Sequence, residues 1–283
     1  MGAINVSPES FYAGSVAAGR DAIMTRAEAM VRAGAAMLDV GAMSTAPYLE
    51  TAISPAEEAD RLGEAVAALV GLGVPVSADT SRAAPARAAL DAGARAINDV
   101  RGLTGDAALA PLVAARGAGL VIMASERRRA LELGAAAAAP ASAPAGEPGA
   151  AAEPLDVVLA HLRESLDLAG GAGIDPDRIA VDPGIGFFRG AGLPWHEWDC
   201  RVLAGLPRLR ALGRPLCAGL SRKSFIGAVA DVPDAADRLP GSLAAAAIAV
   251  LGGAHVIRTH DVAETRQAVR VAAAVRHAAE GRP

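Results

Sequence analysis

A side chain able to donate, accept or ionise stands at the end of nearly every apolar segment that has the composition of a strand. In chain order the series is Asn5, Asp39, Asp79, Asn98, Met123, Asp182, Lys223, and Arg258 with His260, in which Met123 is the apolar exception. When parallel strands close into a barrel, their carboxyl ends surround one mouth. We therefore expect these side chains, tens of residues apart in the chain, to converge in one pocket.

Lys223 is the only lysine in the chain, and every other Lys or Arg position holds an arginine. A lysine provides a compact ammonium on a flexible stem, which the planar fork of an arginine does not replace. The apolar segment 215–219, which precedes it, is typical of a buried strand. This position predicts a functional lysine, although an accident of an arginine-rich composition would leave the same single residue.

Each acidic, amide or histidine member of the series also has a plainer interpretation. Asp79, Asn98 and Asp182 could cap helices, since Asp and Asn are favoured at helix N-termini. Asp39 could brace a loop, and His260 could be a structural histidine. Only the repetition at successive strand ends favours a binding site.

One half of the series suits a flat heterocycle that carries amino groups and ring N–H groups. Asp79, Asn98 and Asp182 offer acceptors, and a carboxylate facing a guanidine-like edge makes a charge-assisted, bidentate contact. Lys223 could meet a ring carbonyl or nitrogen on the opposite edge.

The other half suits an anion. Arg258 and His260, close to helix N-termini, could bind a phosphate. The side-chain oxygen of Asn5 could enter the shell of a Mg²⁺ ion, which prefers hard oxygen ligands and substrate phosphates.

The apolar segments alternate between strand and helix patterns along the whole chain. We predict strands at 2–6, 36–40, 74–79, 95–99, 119–123, 178–182, 214–218 and 255–258. We predict helices at 20–34, 55–72, 83–92, 106–115, 155–168, 195–212, 243–251 and 262–279. Ser54, Pro55 and Glu57 form a helix start with a serine cap and a capping-box glutamate.

Such alternation implies parallel strands joined by helical crossovers. Eight units in 283 residues predict an α/β protein with a (β/α)8 TIM barrel. An open doubly wound sheet is the alternative, but no G-x-G-x-x-G follows the first strand. We expect a single domain over 1–283, interrupted by an Ala/Pro-rich insertion at about 133–153 that forms a mobile surface loop.

Composition excludes several functional classes. The formal net charge is −4, which does not favour nucleic-acid binding. The two cysteines form no spaced cluster, so we expect neither a disulfide framework nor a zinc site. The sequence shows no secretory leader and no apolar run of membrane length. We therefore expect a cytoplasmic enzyme without membrane or nucleic-acid partners.

The chain resembles the pterin-binding barrels, and most closely the dihydropteroate synthase family. The resemblance covers nearly the whole chain outside the insertion. It is carried by GAINVSPESF at 2–11, SADT at 77–80, INDV at 97–100, DPGIGF at 182–187, SRKSF at 221–225 and RTHDV at 258–262.

The resemblance implies a transferase of folate biosynthesis that contains a TIM barrel. The family joins a 7,8-dihydropterin, activated as its CH2-pyrophosphate, to p-aminobenzoate and releases pyrophosphate. Pyrophosphate leaves first, or nearly so, and the amine attacks a cationic pterin methylene. Magnesium as cofactor and a homodimer are part of the same expectation.

The resemblance also implies a role for each matching residue. Catalysis would depend on Lys223, Arg258, His260 and Asn5. The pterin would be bound by Asp79, Asn98, Asp182, Lys223, Met123, Phe187 and Arg222. Aminobenzoate would meet Ser224, Thr45 and Pro47; pyrophosphate would meet Arg258, His260 and Asn5; and Asn5 would be the metal ligand.

The chain departs from the family pattern mainly around the second substrate. Ala13 stands at a position that is usually acidic, and Ala46 at one that is usually arginine. Ala124 replaces a frequent histidine, and Arg189 a frequent lysine. We therefore expect a divergent member with an intact pterin half and an altered aminobenzoate half.

Three other functions remain open at this point. A pterin-binding methyltransferase shares the barrel and much of the pterin pocket. A catalytically altered paralogue would bind the pterin without turnover, as Ala13 and Ala46 suggest. A Schiff-base aldolase would use Lys223 as a nucleophile, but would leave the neighbouring Ser and Arg unexplained.

Overall fold

The computed structural model describes residues 1–6, 19–43, 53–126, 153–189 and 192–281. In this part of the chain eight strands alternate with helices. The strands are β1 (Gly2–Asn5), β2 (Leu38–Gly41), β3 (Val76–Asp79), β4 (Ala96–Asp99), β5 (Gly119–Met123), β6 (Ile179–Asp182), β7 (Cys217–Gly219) and β8 (Val256–Arg258).

The α-helices of the described residues lie between and after these strands. They are α1 (Arg20–Arg32), α2 (Pro55–Leu69), α3 (Ala83–Asp91), α4 (Leu109–Arg116), α5 (Pro154–Gly171), α6 (Trp195–Ala204), α7 (Ser224–Ala230), α8 (Leu239–Leu251) and α9 (Val262–Ala279). Short 3₁₀ turns occupy Val70–Leu72, Pro176–Arg178, Leu206–Leu212 and Ala235–Asp237.

The strands form a closed parallel barrel. β1 to β6 pair in chain order, and β7 pairs with β8. Two parallel bridges complete the ring, Val181 with Leu216 between β6 and β7, and Gly2 with Thr259 between β8 and β1. An open doubly wound sheet would reverse its strand order at one point, so the predicted (β/α)8 TIM barrel is confirmed.

Nearly every strand residue is buried because the barrel interior covers one face and the helices cover the other. Ile4, Leu38, Val40, Ile97 and Ile122 are fully buried. This explains why the strand segments are continuous apolar runs rather than alternating patterns. No helix in the described ranges is long and apolar enough to cross a membrane.

The helix predictions hold in position but differ in detail. Ser54 Oγ accepts the Glu57 amide at 3.1 Å, and Pro55 opens α2, so the predicted cap is confirmed. The prediction of one helix over 195–212 is wrong. The α-helix α6 ends at Ala204, and a 3₁₀ turn over Leu206–Leu212 follows Gly205. A Cβ on Gly205 would lie 2.4 Å from Leu155 Cδ2, so close packing against α5 favours glycine there.

The sequence did not predict helix α7, and it did not predict that Glu153 caps α5. Helix α7 was missed because it spans only 7 residues and Lys223 gives it no side-chain cap. The insertion predicted at 133–153 lies outside the described residues except for Glu153. That side chain accepts the Leu155 amide and caps α5.

The turn after β6 brings the backbone unusually close to the neighbouring strand end. Gly184 has φ +71°, and a Cβ built on it would lie 1.8 Å from the carbonyl oxygen of Ala124. Only glycine fits both the left-handed conformation and this contact. The turn therefore fixes where the side chains after Asp182 enter the mouth.

Replacing Gly184 with alanine tests this constraint. We expect Gly184→Ala to lower the free energy of unfolding by about 2–4 kcal/mol, since left-handed strain and a backbone clash add. Gly173→Ala is the matched control, because Gly173 has φ +78° but nothing within 4 Å of a built Cβ. It is expected to lose about 1 kcal/mol in urea unfolding. Equal losses for the two variants would contradict the close approach.

Candidate active site

A buried ion cluster joins three strands at the mouth of the barrel. Arg258 on β8 donates through Nε to Asp39 Oδ2 at 2.6 Å and through Nη2 to Asp79 Oδ2 at 2.9 Å. Asn98 Nδ2 on β4 donates to the same Asp39 oxygen at 3.1 Å. Asp39 thus braces the barrel interior rather than a loop.

Burial sets the protonation of this cluster. Burial raises the pKa of Asp79 to about 7, although Arg258 opposes the shift and Asp39 adds to it. Burial alone would lower the pKa of Arg258, but the two carboxylates outweigh it and the net shift is upward. Asp79 Oδ1 is buried without a hydrogen-bond partner among the described residues. This oxygen therefore has an unused hydrogen-bonding position, as an acceptor or, when the carboxyl is protonated, as a donor.

Asp182 and Lys223 are two further ionisable groups of the mouth, and each affects the pKa of the other. Asp182 ends β6, and its Oδ1 accepts the Gly184 amide at 2.8 Å. Burial raises the pKa of Asp182 against the effects of that amide and of Lys223. Burial lowers the pKa of Lys223 to about 8, and Asp182 opposes the shift. A lysine with this pKa is mostly protonated at neutral pH and loses its proton not far above it.

Two apolar side chains complete this part of the mouth. Met123, buried at the end of β5, is paired in register with Asp182. Lys223 Nζ lies 4.4 Å from the centre of the Phe187 ring, within the range of a cation–π contact. The structure therefore brings Met123 and Phe187 beside the predicted pterin ligands.

Asp79, Asn98 and Asp182 cap none of the described helices. The residue before α3 is Arg82, and the residue before α4 is Ala108. Their side chains instead take part in the contacts of the mouth. The plainer interpretation as helix caps is therefore wrong for all three.

His260 is neutral in this environment. Burial and the nearby Arg258 lower the pKa of His260 to about 3. Its Nδ1 lies 3.1 Å from the Ala3 carbonyl oxygen, which only accepts, so Nδ1 carries the proton and Nε2 keeps its lone pair. Asn5 ends β1 at the same mouth. The anion site of Asn5, Arg258 and His260 stays a prediction, and its charged member, Arg258, is already paired with two carboxylates.

Arg222 is committed to structural contacts in this structure. Its guanidinium makes a two-point contact with Asp261, at 2.9 and 2.8 Å, and Nη1 donates to the Ala235 carbonyl at 2.9 Å. These bonds tie the segment before α7 to the segment before α9. The expectation that Arg222 lines the pterin pocket stays a prediction.

The region predicted for the second substrate is only partly described. Ser224, the first residue of α7, accepts a hydrogen bond from Arg189 Nη2 at 2.7 Å. The Arg189 guanidinium lies 4.3 Å from the centre of the Trp195 ring. Thr45 and Pro47 lie outside the described residues, as do Ala13 and Ala46.

Sequence reasoning missed Asp199, a fully buried carboxylate on α6. It lies inside a helix rather than at a strand end, so its position in the sequence gave no signal. The one available cue was its position between Trp198 and Cys200. An acid beside such apolar neighbours can be buried, and a buried acid usually needs a partner.

Metal ligands are sparse in the described residues. Among them no group of three or more His, Cys, Asp or Glu side chains is arranged to hold a metal ion. Asn5 contributes a single hard oxygen at the mouth. This donor set fits an ion that arrives with a diphosphate, because Mg²⁺ often keeps waters and takes few protein ligands.

The raised pKa of Asp79 makes stability depend on pH. The folded pKa of about 7 exceeds the ordinary value of 3.8, so the folded state binds the proton more tightly between those values. The free energy of unfolding then falls as pH rises from about 4 to about 7. We expect the wild type to lose stability relative to Asp79→Asn over this window, as measured by urea unfolding. Parallel curves for the two proteins would contradict the shift.

Comparison with known proteins identifies the family. The model of the family described as "Pterin binding enzyme" matches residues 1–260. The dihydropteroate synthase of Mycobacterium leprae is 38% identical over 287 residues, covering 98% of this chain and 93% of the relative.

Solved structures agree with the family match. A dihydropteroate synthase from Coxiella burnetii in complex with pteroic acid superposes with a TM-score of 0.83 at 35% identity, covering 98% of this chain and 93% of that one. One from Xanthomonas albilineans with 4-aminobenzoic acid gives 0.80 at 33% identity, covering 97% and 92%. The chain therefore belongs to the pterin-binding enzymes, and within them to the dihydropteroate synthases, the transferases of folate biosynthesis.

Proposed function

We propose that this chain condenses 7,8-dihydropterin-CH2-pyrophosphate with p-aminobenzoate, or a related arylamine, to form dihydropteroate and pyrophosphate. The observation that carries the proposal is the convergence of Asp79, Asn98, Asp182 and Lys223 at one barrel mouth. The similar Coxiella burnetii enzyme was solved with pteroic acid. That ligand is a pterin joined to aminobenzoate, as the proposed product is.

The pterin is held by complementary edges. The guanidine-like edge of the ring meets Asp182, whose carboxylate makes a charge-assisted contact when ionised. Asp79 Oδ1 and the Asn98 amide face the remaining N–H groups. Lys223 donates to the ring carbonyl or a ring nitrogen, and its contact with Phe187 limits its freedom. Met123 forms an apolar wall.

Charge in the mouth favours departure of the pyrophosphate. Among the described residues, Arg258 and Lys223 oppose the charges of Asp39, Asp79 and Asp182, so these five groups together are at most weakly negative. Such a site stabilises a cationic pterin methylene, because its charges are already oriented before the reaction. Holding the amine in line with that carbon lowers the activation barrier further, and no covalent enzyme intermediate is required.

The leaving diphosphate is bound by Asn5, Arg258 and His260. His260 is uncharged before the substrate arrives, so a phosphate oxygen near Nε2 would raise its pKa and draw in a proton. Mg²⁺ would neutralise charge on the diphosphate. Asn5 would be its protein ligand, and substrate oxygens and water would fill the other positions.

The arylamine carboxylate is placed near Ser224. Arg189 brings a guanidinium to the Ser224 hydroxyl, which supplies a positive charge where a carboxylate would dock. A Xanthomonas albilineans relative was solved with 4-aminobenzoic acid. Thr45, Pro47 and Arg222 stay predictions for the lining of the pocket.

A homodimer is proposed through the outer face of α8 and α9. Ile248, Leu251, Val271 and Val275 expose between 46% and 67% of their surface there, and adjacent exposed apolar residues favour an interface. A monomeric mass by light scattering at micromolar concentration would contradict it.

A single domain over 1–283 and a cytoplasmic location likewise stay predictions.

Turnover by the purified protein tests the function. Supplied with the dihydropterin pyrophosphate, Mg²⁺ and p-aminobenzoate, the wild type is expected to release pyrophosphate and form dihydropteroate.

Asp182→Asn is expected to weaken pterin binding by about 10- to 100-fold, as loss of a charged hydrogen bond of about 1.5–3 kcal/mol implies. Calorimetric titration with the pterin measures this change.

Asp177→Asn is the matched control, because its side chain is 95% exposed and lies just before the same strand. It is expected to match the wild type in both assays. Tight pterin binding without pyrophosphate release would reject the synthase in favour of a non-catalytic pterin-binding protein. No binding of the pterin at all would reject both.

A further inference from the structure

Asp199 is a fully buried carboxylate that the proposed reaction does not use directly. It lies on α6, behind the loop that follows β6. Its Oδ1 accepts the Gly186 amide at 2.8 Å. Its Oδ2 has no hydrogen-bond partner among the described residues. Burying a carboxylate this way is costly unless a charge or ligand compensates it.

Gly186 connects Asp199 to the active-site lysine. It adopts φ +88°, and a Cβ built on it would lie 3.1 Å from Lys223 Cδ and 3.4 Å from Nζ. The stem and ammonium of Lys223 therefore rest against the bare Gly186 backbone. Phe187, the next residue, holds its ring under the same ammonium. The hydrogen bond that the Gly186 N–H donates to Asp199 fixes the backbone surface on which the lysine lies.

Charges around the two groups support a link between them. Lys223 faces Asp182 from β6, Arg258 from β8, Asp199 from α6 and Arg189 from the loop after β6; the two acids raise its pKa and the two arginines lower it. Asp199 faces Lys223, Arg189 and His196. Burial raises the pKa of Asp199 to about 6, and the Gly186 amide, Lys223 and Arg189 oppose the shift, so Asp199 is largely ionised at neutral pH.

We propose that Asp199 is a positioning residue for Lys223: it fixes Gly186 against the lysine stem, and its negative charge keeps the ammonium protonated for pterin binding. This role rests on the proposed function only in one respect, namely that the ligand bound by Lys223 is a pterin. An amide side chain would satisfy the Gly186 N–H equally well. Holding the Gly186 backbone therefore does not require the negative charge of Asp199. A purely structural role would leave that charge unexplained.

The single lysine allows a direct test that does not depend on turnover. Lysine labelled with ¹³C at Cε gives one resonance, because Lys223 is the only lysine in the chain. In the wild type it is expected to titrate at a pKa of about 8. In Asp199→Asn, which keeps the shape and one acceptor, the pKa of Lys223 is expected to fall by roughly 0.5 or more, since an opposite charge is lost.

Activity gives the second readout. The alkaline limb of kcat/KM for the pterin is expected to move down in pH with the lysine resonance, and kcat/KM at about pH 6.5 to stay within a few-fold of wild type, because most of the lysine is still protonated there. Glu197→Gln, an exposed charge on the same helix, is the matched control. It is expected to leave the lysine resonance unchanged.

Folding of each variant is checked by circular dichroism. If Asp199→Asn does not fold, Asp199→Ser, which keeps a small acceptor without the charge, replaces it. A folded variant whose Lys223 titrates as in the wild type overturns the proposal, whether or not turnover is found. Absence of turnover in the wild type, with the lysine shift present, rejects the synthase reaction but not the role of Asp199.

Discussion

The ion cluster of Arg258 with Asp39 and Asp79 is the constraint on which the architecture of the site depends. Arg258 reaches carboxylates that are 219 and 179 residues away in the chain. Asp39 is completely buried, so breaking its pairing would leave an uncompensated charge at a cost of about 3–5 kcal/mol. Only the ring closed from β8 to β1 provides that pairing. The ion cluster of the site therefore depends on closure of the barrel.

Burial at the mouth, together with the charges of this cluster, sets the pKa values of its acids and its lysine. Burial raises the pKa of Asp79 to about 7, because the guanidinium of Arg258 opposes that effect only in part and the Asp39 carboxylate adds to it. Burial likewise lowers the pKa of Lys223 to about 8; Asp182 opposes this shift and Arg258 adds to it. These shifts leave groups that donate or accept near neutral pH, as a heterocycle bearing both N–H and carbonyl groups requires.

Much of this arrangement was predictable because it depends on local patterns. The alternation of apolar runs predicts the barrel, and a polar residue at the end of nearly every strand predicts the mouth, as Asp182 and Asn98 illustrate. Partnerships across the barrel were not predictable, since nothing near Arg258 in the sequence indicates Asp39. Helix α7 was missed because a 7-residue helix has little periodicity. Asp199 was missed because its importance comes from the loop it packs against.

A crystal structure with a non-reactive dihydropterin pyrophosphate analogue tests the central claim most directly. The account predicts the bicyclic ring at the barrel mouth, within hydrogen-bonding distance of Asp79, Asn98, Asp182 and Lys223, with the diphosphate toward Asn5 and His260. Arg258 should keep its contact with Asp39. A ring bound elsewhere, or a mouth in which those four side chains do not touch it, would contradict the account.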